Sequence, residues 1–331
     1  MERIEYLDQA KGFAIFLMVF AHAIAWNFTD WQSVCIYSQG QSTSEIFGGL
    51  IWNIVYSFHM PLFFLIAGYF TPPPYEISTK KYLIKRTRRL LIPYIASGII
   101  CFVVRGHFGY WFFLSLWQLS VVGCLFVKIN QFINKNRMLS IDLVLMLLMY
   151  VVLNRSLSNI EGDYMKFVSY IPPYIFGIIL ARHQKLYDTI FLPIIYTLCC
   201  MFFILLILSK YSVLPIPTVI EEILNKCRLY GLPVLGSIIT ISLFRNISNN
   251  KYCKVFNYLG KRTSEIYILH ILFVIQIPEI GSFILQQNPI TCITLQLVVF
   301  SQLSVIAILL SIMLSIPLRN SHLFNKYLFG Y

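Results

Sequence analysis

The sequence predicts an all-α, polytopic integral membrane protein with about ten transmembrane helices and both termini in the cytoplasm. Of its 331 residues, 58% are hydrophobic and only 12% are charged, and the mean hydropathy is +0.71. Soluble domains do not have this composition, whereas polytopic membrane proteins do. No polar stretch is long enough for a separate soluble domain. We therefore expect a single membrane-embedded domain over residues 1–331, with the lipid bilayer as its main partner.

The second observation is a series of ten apolar runs, each close to the ~20 residues that a helix needs to cross a bilayer. The predicted spans cover residues 8–26, 46–70, 90–106, 109–127, 139–154, 165–181, 189–209, 229–245, 264–280 and 290–316.

The third observation is the distribution of cations between these runs. If the N-terminus is cytoplasmic, the inner segments hold 20 of the 26 Lys and Arg residues and the outer segments hold six. This asymmetry predicts cytoplasmic termini and an even number of spans. Because the cations lie in short loops, the net charge of +12 does not indicate a nucleic-acid partner.

Lys11 and His22 are the ionisable pair within the first run, eleven residues apart. On a helix this spacing is three turns plus about 20°, so both side chains project from one face, about 16 Å apart along the axis. Ionisable residues inside a span are costly and therefore functional candidates. Alternatively, Lys11 reaches the headgroups and His22 lies near the opposite interface. Asp8 precedes Lys11 by three residues and can orient its ammonium.

A basic segment precedes the third run. Its six cations within ten residues are Lys80, Lys81, Lys85, Arg86, Arg88 and Arg89. One interpretation is an orientation signal that contacts anionic lipid, which contributes about 1 kcal/mol per residue. The other is a phosphate site, because Arg presents a bidentate fork to phosphate oxygens.

Two further histidines lie within apolar runs, each with two interpretations. His59 follows Ser57-Phe58 and precedes Met60-Pro61, and such a residue is more often a packing residue than a catalyst. His270 lies five residues after Glu265, about 140° around the helix, so we expect no direct pairing between them. A buried Glu265 needs a cation, and Arg262 is three residues before it.

An aromatic cluster, Tyr110-Trp111-Phe112-Phe113, lies at an outer interface close to His107. Aromatic belts are ordinary at membrane interfaces, and a platform on which a sugar ring stacks is the sharper alternative.

The sequence has none of the common motifs of soluble hydrolases, nucleotide-binding proteins or metalloproteases, namely GxSxG, the P-loop and HExxH. No carboxylates pair at a useful spacing within a span, and the eight cysteines have no metal-ligand spacing. We therefore expect no metal. Cys35 and Cys227 both fall in predicted outer loops, where they can pair or stay free.

Taken together, these segments resemble the acyltransferase-3 family of membrane O-acyltransferases, and most of all its fucose 4-O-acetylase-like branch. The resemblance covers essentially the whole chain. The stretches that carry it are Tyr6-Leu7-Asp8-Gln9-Ala10-Lys11-Gly12 leading to His22, Phe58–Phe64 with Gly68-Tyr69-Phe70, Lys85–Arg89 through Pro93-Tyr94, Tyr110–Leu114, Tyr174–Gly177, and Leu259-Gly260 through His270. The chain has Lys11 where many members have Arg, which removes bidentate contact.

The resemblance implies a multi-pass enzyme of the inner (cytoplasmic) cell membrane. It would move an acyl group from an acyl-CoA co-substrate, acetyl-CoA in the first instance, to a hydroxyl of a sugar or glycan. His22 would be the general base, or would form an acyl-imidazole. Lys11, oriented by Asp8, would hold a donor phosphate, as would Lys85, Arg86, Arg88 and Arg89. The acceptor-side residues would be His59, Tyr69, His107, Trp111, Glu265 and His270, with Tyr69, Trp111 or a backbone amide as the oxyanion donor.

Two other function classes stay open at this stage. One is an exporter or flippase of glycans or lipid-linked sugars without chemistry, suggested by ten spans and a polar pair along one helix. It predicts a continuous polar path, yet the later spans carry few ionisable groups. The other is an envelope sensor or scaffold. The acceptor and the oligomeric state are likewise open.

Overall fold

The protein is helical throughout the part that the structure describes. The structure is a computed structural model that describes residues 4–28, 43–72, 78–106, 109–134, 136, 138–160, 162–210, 217–248 and 250–330. No strand occurs within these ranges. The prediction of an all-α membrane protein is therefore confirmed.

The described residues of the first half form eight α-helices, in the order α1 Glu5–Asn27, α2 Thr43–Tyr69, α3 Thr79–Arg86, α4 Ile92–Arg105, α5 Trp111–Ile133, α6 Leu139–Leu157, α7 Ile171–Arg182 and α8 Gln184–Ile190. A π-helical turn, Thr87–Leu91, joins α3 to α4 without a break, and a 3₁₀-helix, Asp163–Tyr170, leads into α7.

Where the structure describes the second half, eight more α-helices follow, in the order α9 Pro193–Lys210, α10 Thr218–Ile247, α11 Cys253–Lys261, α12 Thr263–Phe273, α13 Pro278–Leu285, α14 Pro289–Leu295, α15 Ser301–Asn320 and α16 His322–Tyr327. A second π-helical turn, Gln296–Phe300, joins α14 to α15.

Seven of the described helical segments are long and apolar enough to cross a membrane, and α12 with α13 gives an eighth candidate that is bent by 90°. The predicted count of ten is not confirmed. The predicted spans 90–106 and 165–181 correspond to α4 and α7, which have 14 and 12 residues. Each continues a preceding helical segment, Thr79–Leu91 for α4 and Asp163–Tyr170 for α7, and neither is among the candidate spans found in the described residues.

The chain divides into two compact units. The first unit contains Phe63–Leu192 and Ile316–Tyr331, and the second unit contains Glu2–Leu62 and Pro193–Ser315.

Within the first unit, Tyr174 of α7 is the largest fully buried side chain, and glycines bring its neighbours close. A Cβ on Gly68 would lie 1.9 Å from the carbonyl oxygen of Tyr174, and one on Gly123 would lie 2.7 Å from its ring. On the other side of the same contact, a Cβ on Gly177 would lie 2.0 Å from the carbonyl oxygen of Leu65. These positions require glycine because a helix backbone or a ring occupies the space of a side chain.

A buried carboxylate fixes the ends of α5, α6 and α7 in the same unit. Asp142 has no solvent exposure, and its Oδ1 accepts hydrogen bonds from the amides of Asn130 and Asn134 at 2.5 Å. Its Oδ2 lies 2.7 Å from His183 Nε2 and 3.2 Å from Arg182 Nε. A buried carboxylate with three hydrogen-bond donors and a neighbouring guanidinium is well compensated, so this cluster is a structural clamp.

In the second unit α1 is the central helix: 72% of its most apolar window is buried by protein, compared with 11% for α9. Two glycines let α1 and α11 touch through their backbones. A Cβ on Gly12 would lie 1.8 Å from the carbonyl oxygen of Phe256, and one on Gly260 would lie 1.8 Å from that of Asp8. We call this contact the glycine crossing. Close backbone approach through small residues is a common way for membrane helices to associate.

From the glycine crossing onward, α1 and α11–α12 run parallel in a fixed register. Gly12 faces Gly260, and Asn27 Nδ2 donates to the carbonyl oxygen of Ile275 at 3.0 Å. Both pairs have a sequence separation of 248. Near the start of α1, Asn257 donates to Glu5 at 2.7 Å.

Because the glycine crossing leaves no space for a side chain, substitution of either glycine should lower the stability of the folded protein. Gly12→Ala or Gly260→Ala places a methyl group within 2 Å of a backbone atom, and the helices must separate. We expect a loss of about 1–3 kcal/mol, the usual cost of overpacking, measured as a lower midpoint of thermal unfolding in detergent.

Gly231→Ala is the matched control. Gly231 lies in a helix of the same unit, and its nearest neighbour would be the flexible end of Leu206 at 3.2 Å. The control variant should unfold at close to the wild-type temperature. Equal midpoints for all three variants would contradict the crossing.

Candidate active site

Asp8 and Lys11 form an ion pair at the start of α1. Lys11 Nζ lies 2.6 Å from Asp8 Oδ1, and the lysine side chain is 24% exposed while the aspartate is buried. The contact expected from their i, i+3 spacing is present. The glycine crossing holds the backbone at this point, because Gly12 follows Lys11 directly and Gly260 packs on Asp8. One carboxylate contact leaves the ammonium, which has three N–H donors, able to bind an anion.

His22 and His270 meet further along the same pair of helices. His22 Nδ1 lies 2.9 Å from His270 Nε2, and the separation is again 248 residues. The ring planes are within 3° of parallel with centroids 5.1 Å apart, so with the short N···N distance the rings meet edge to edge. His270 is fully buried, whereas His22 is half-buried. We call this pair the histidine dyad.

Hydrogen bonding assigns the protons of the dyad. His270 Nδ1 lies 3.0 Å from the carbonyl oxygen of Ile266, which only accepts, so this nitrogen carries the hydrogen. With both rings neutral, His270 Nε2 is then an acceptor and His22 Nδ1 must be the donor. The remaining nitrogen, His22 Nε2, therefore carries a lone pair. An imidazole in this tautomer is a base whose orientation is fixed by its partner.

A tryptophan ring packs on His22, and a third histidine, His59, belongs to the same unit. Trp26, one turn along α1, has its ring 5.2 Å from that of His22 with the planes within 12°. His59 of α2 is 1% exposed and lies close enough to His22 for a charge on one ring to act on the other. Its Nδ1 donates to the carbonyl oxygen of Val55 at 2.8 Å, which leaves Nε2 as an acceptor.

Glu265 lies in the first turn of α12 and is fully buried. Arg262 Nη1 lies 3.4 Å from Glu265 Oε2, as its position three residues earlier predicts, and Ser315 Oγ donates to the same oxygen at 3.4 Å. Arg262 and Ser315 thus both contact one oxygen of this buried carboxylate. Its predicted contact with substrate stays a prediction.

In the first unit, the basic segment divides into outward and inward side chains. Lys80, Lys81, Lys85, Arg88 and Arg89 are exposed. Arg86 is half-buried, and its Nε donates to the hydroxyl of Tyr82 at 2.9 Å. Tyr82 in turn hydrogen-bonds Tyr174, whose hydroxyl lies 2.8 Å from Thr71 Oγ1. Within the described residues Arg86 has no carboxylate partner, so the terminal nitrogens of its guanidinium can receive an anion.

Two other predicted acceptor-side residues, Tyr69 and Trp111, belong to the first unit, whereas the dyad belongs to the second. In the first unit, Tyr69 packs on Tyr187 and Trp111 packs on Tyr170 at 5.7 Å. Tyr110, just before Trp111, adopts a left-handed φ of 72° that non-glycine residues rarely accept. His107 lies outside the described residues, as does Cys35, so whether Cys35 pairs with Cys227 stays open.

The feature that sequence reasoning missed is the dyad itself. The expected contact of His270 with the acceptor stays a prediction, and the structure places His270 against His22. A signal was present in the equal spacings, because His22 follows Gly12 and His270 follows Gly260 by ten residues each. Without knowing that the two glycines touch, the equality has no meaning.

A comparison with known protein families shows the family to which the chain belongs. A family model described as an acyltransferase domain matches residues 4–316. The chain belongs to the acyltransferase-3 family. This protein is thus a multi-pass membrane acyltransferase. No curated protein and no solved structure matches the chain. Within the described residues of this acyltransferase, no three His, Cys, Asp or Glu side chains are grouped to hold a metal ion.

Proposed function

We propose that this acyltransferase moves an acyl group, acetyl in the first instance, from acyl-CoA to a hydroxyl of a cell-envelope or exported glycan, in the cytoplasmic membrane. The observation that carries the proposal is the histidine dyad, in which the lone pair of His22 Nε2 is oriented by His270. Family membership supports acyl transfer, and the dyad supplies the base that transfer to a sugar hydroxyl requires.

The reaction needs a base because a sugar hydroxyl is too weak an acid to attack a thioester unaided. His22 Nε2 accepts the hydroxyl proton as the oxygen attacks the thioester carbonyl. The new C–O bond forms, the C–S bond breaks, and the departing thiolate takes the proton from the His22 imidazolium. His270 donates nothing to the substrate. Its acceptor nitrogen holds His22 Nδ1–H, which fixes the tautomer and stabilises the imidazolium, the role of the orienting group in catalytic triads.

The same lone pair also suits a two-step route, in which His22 attacks the thioester and the hydroxyl then attacks the acyl-imidazole. Initial-rate patterns separate the routes: a ternary complex gives intersecting double-reciprocal lines, and an acyl-enzyme gives parallel lines.

The Asp8–Lys11 pair is the proposed contact for a donor phosphate. Coenzyme A is polyanionic, and Lys11 is the partly exposed cation on α1, on the face that also carries His22. Asp8 limits the motion of the ammonium and so lowers the entropy lost on binding. About 16 Å of helix separates Lys11 from His22, room for the flexible arm that links the phosphates of coenzyme A to its sulfur.

Arg86 is proposed as an independent phosphate contact in the first unit. Its guanidinium is fixed by Tyr82, while its five neighbours in the basic segment face outward and suit the anionic headgroups of lipids. This assignment narrows the predicted donor contacts Lys85, Arg86, Arg88 and Arg89 to one side chain with a defined geometry.

The first functional prediction concerns the base. His22→Ala removes the lone pair and should lower the turnover of acetyl-CoA by about 10²–10⁴-fold, the usual contribution of general-base catalysis. The assay is release of the coenzyme A thiol by purified protein, alone and with added glycans, together with mass spectrometry of surface glycans from cells.

His322→Ala is the control, because His322 is an exposed histidine at the start of α16. It should retain full turnover, and both variants should elute as folded protein in detergent. Wild-type turnover in His22→Ala would remove the base assignment. A wild-type protein that released no thiol and left the glycans unmodified would instead favour an exporter.

The second functional prediction concerns the donor. Lys11→Ala and, separately, Arg86→Ala should raise the KM for acetyl-CoA about tenfold, with a smaller change in kcat, because each loses a charge-assisted phosphate contact. The matched controls are Lys254→Ala and Lys85→Ala, which remove exposed cations of the same units. A donor KM that moves equally in variant and control would reduce both residues to general electrostatic attraction.

A further inference from the structure

Asn27, the last residue of α1, is a fully buried amide with all of its hydrogen-bonding groups occupied. Its Nδ2 donates to the carbonyl oxygen of Ala23 at 2.8 Å, within its own helix, and to that of Ile275 at 3.0 Å. Its Oδ1 accepts from the backbone N–H of Ile277 at 2.6 Å. One side chain thus binds two backbone groups of another segment.

The segment it binds is the break in a candidate span. α12 ends at Phe273, α13 begins at Pro278, and their axes differ by 90°. Unwound backbone at membrane depth is tolerated only where protein or water satisfies its polar groups. Asn27 satisfies two of them. α13 also packs on the backbone of the same residue, because a Cβ on Gly281 would lie 1.9 Å from the carbonyl oxygen of Asn27.

This contact lies in the same register as the dyad. His22 is five residues before Asn27, and His270 is five residues before Ile275. The glycine crossing fixes the other end of the two helices. The dyad therefore lies between two fixed points, and α12 extends only three residues beyond His270 before the chain breaks.

We propose that Asn27 is a positioning residue for the reaction: it holds the end of α12 so that His270 stays against His22. The proposal rests on the proposed function for its kinetic consequence, although its geometric consequence is measurable without activity. Releasing Ile275 and Ile277 lets the end of α12 move, and a displacement of about 1 Å in a catalytic group can cost about 10²-fold in rate.

The test variant is Asn27→Ser. Serines in this chain donate to the carbonyl four residues earlier, as Ser304 and Ser311 do. The hydroxyl introduced by the substitution would therefore satisfy the Ala23 carbonyl and leave the break without its partner. Asn27→Asp is the second variant. It keeps the volume and the acceptor for Ile277, removes both donors, and serves if the serine variant does not fold.

Asn53→Ser is the matched control. Asn53 also donates to the carbonyl four residues earlier, that of Gly49 at 2.8 Å, and its Oδ1 accepts from Lys210 of another helix at 2.8 Å. The same substitution there removes a comparable amide with its contact to a second helix, without touching the broken span.

Two readouts decide. The kcat for acetyl-CoA turnover should fall at least about tenfold in Asn27→Ser, with the KM for acetyl-CoA unchanged, because the Asp8–Lys11 end of α1 is fixed separately. Carbethoxylation by diethyl pyrocarbonate, mapped by mass spectrometry, should appear at His270 in the variant and be absent in wild type, where both ring nitrogens are engaged.

Unchanged kcat and unchanged labelling of His270 would overturn the positioning role, and so would an equal fall of kcat in Asn53→Ser. If the wild-type protein proved inactive, the proposed function would fail, yet the labelling of His270 would still report whether Asn27 holds α12.

Discussion

The backbone contact between Gly12 and Gly260 is the constraint on which the rest of the second unit depends. It sets both the separation and the register of α1 against α11, and every contact further along the helices inherits that register. His22 meets His270 and Asn27 meets Ile275 at the same separation of 248 residues. A side chain at either glycine would displace all of these pairs together. The geometry of the site therefore depends on glycine, which has no side chain, at both positions of the crossing.

The polar groups of this unit are arranged in compensated pairs. Asp8 binds Lys11, Glu265 binds Arg262, and the two histidines satisfy one another. Ionisable groups within a membrane protein are tolerated when they pair. The dyad keeps one nitrogen lone pair out of its own hydrogen bonds. His270 donates from Nδ1 to a backbone carbonyl and accepts from His22 Nδ1 at Nε2, so the lone pair of His22 Nε2 takes no part in the pairing. The pairing of polar groups that allows α1 to be buried by protein thus also fixes the orientation of the His22 ring.

Spacing along the sequence predicted the contacts between residues that are close in the sequence. The i, i+3 positions of Asp8–Lys11 and Arg262–Glu265 gave both ion pairs, and composition gave the all-α membrane class. The dyad and the role of Asn27 depend on helices nearly 250 residues apart, which no spacing reveals. Hydropathy predicted the apolar run 264–280 but not its 90° bend. Apolar composition does not show where the hydrogen bonds of a helix are interrupted. The inward turn of Arg86 likewise depends on Tyr82 and Tyr174.

The most direct measurement of the account is a double-mutant cycle on the dyad, using acetyl-CoA turnover by the wild type, His22→Ala, His270→Ala and the double variant. If His270 acts through His22, removing it has no further effect once His22 is gone, and the double variant is as slow as His22→Ala alone. Losses that multiply would mean that His270 acts on the substrate by itself, and the dyad would no longer be the catalytic unit.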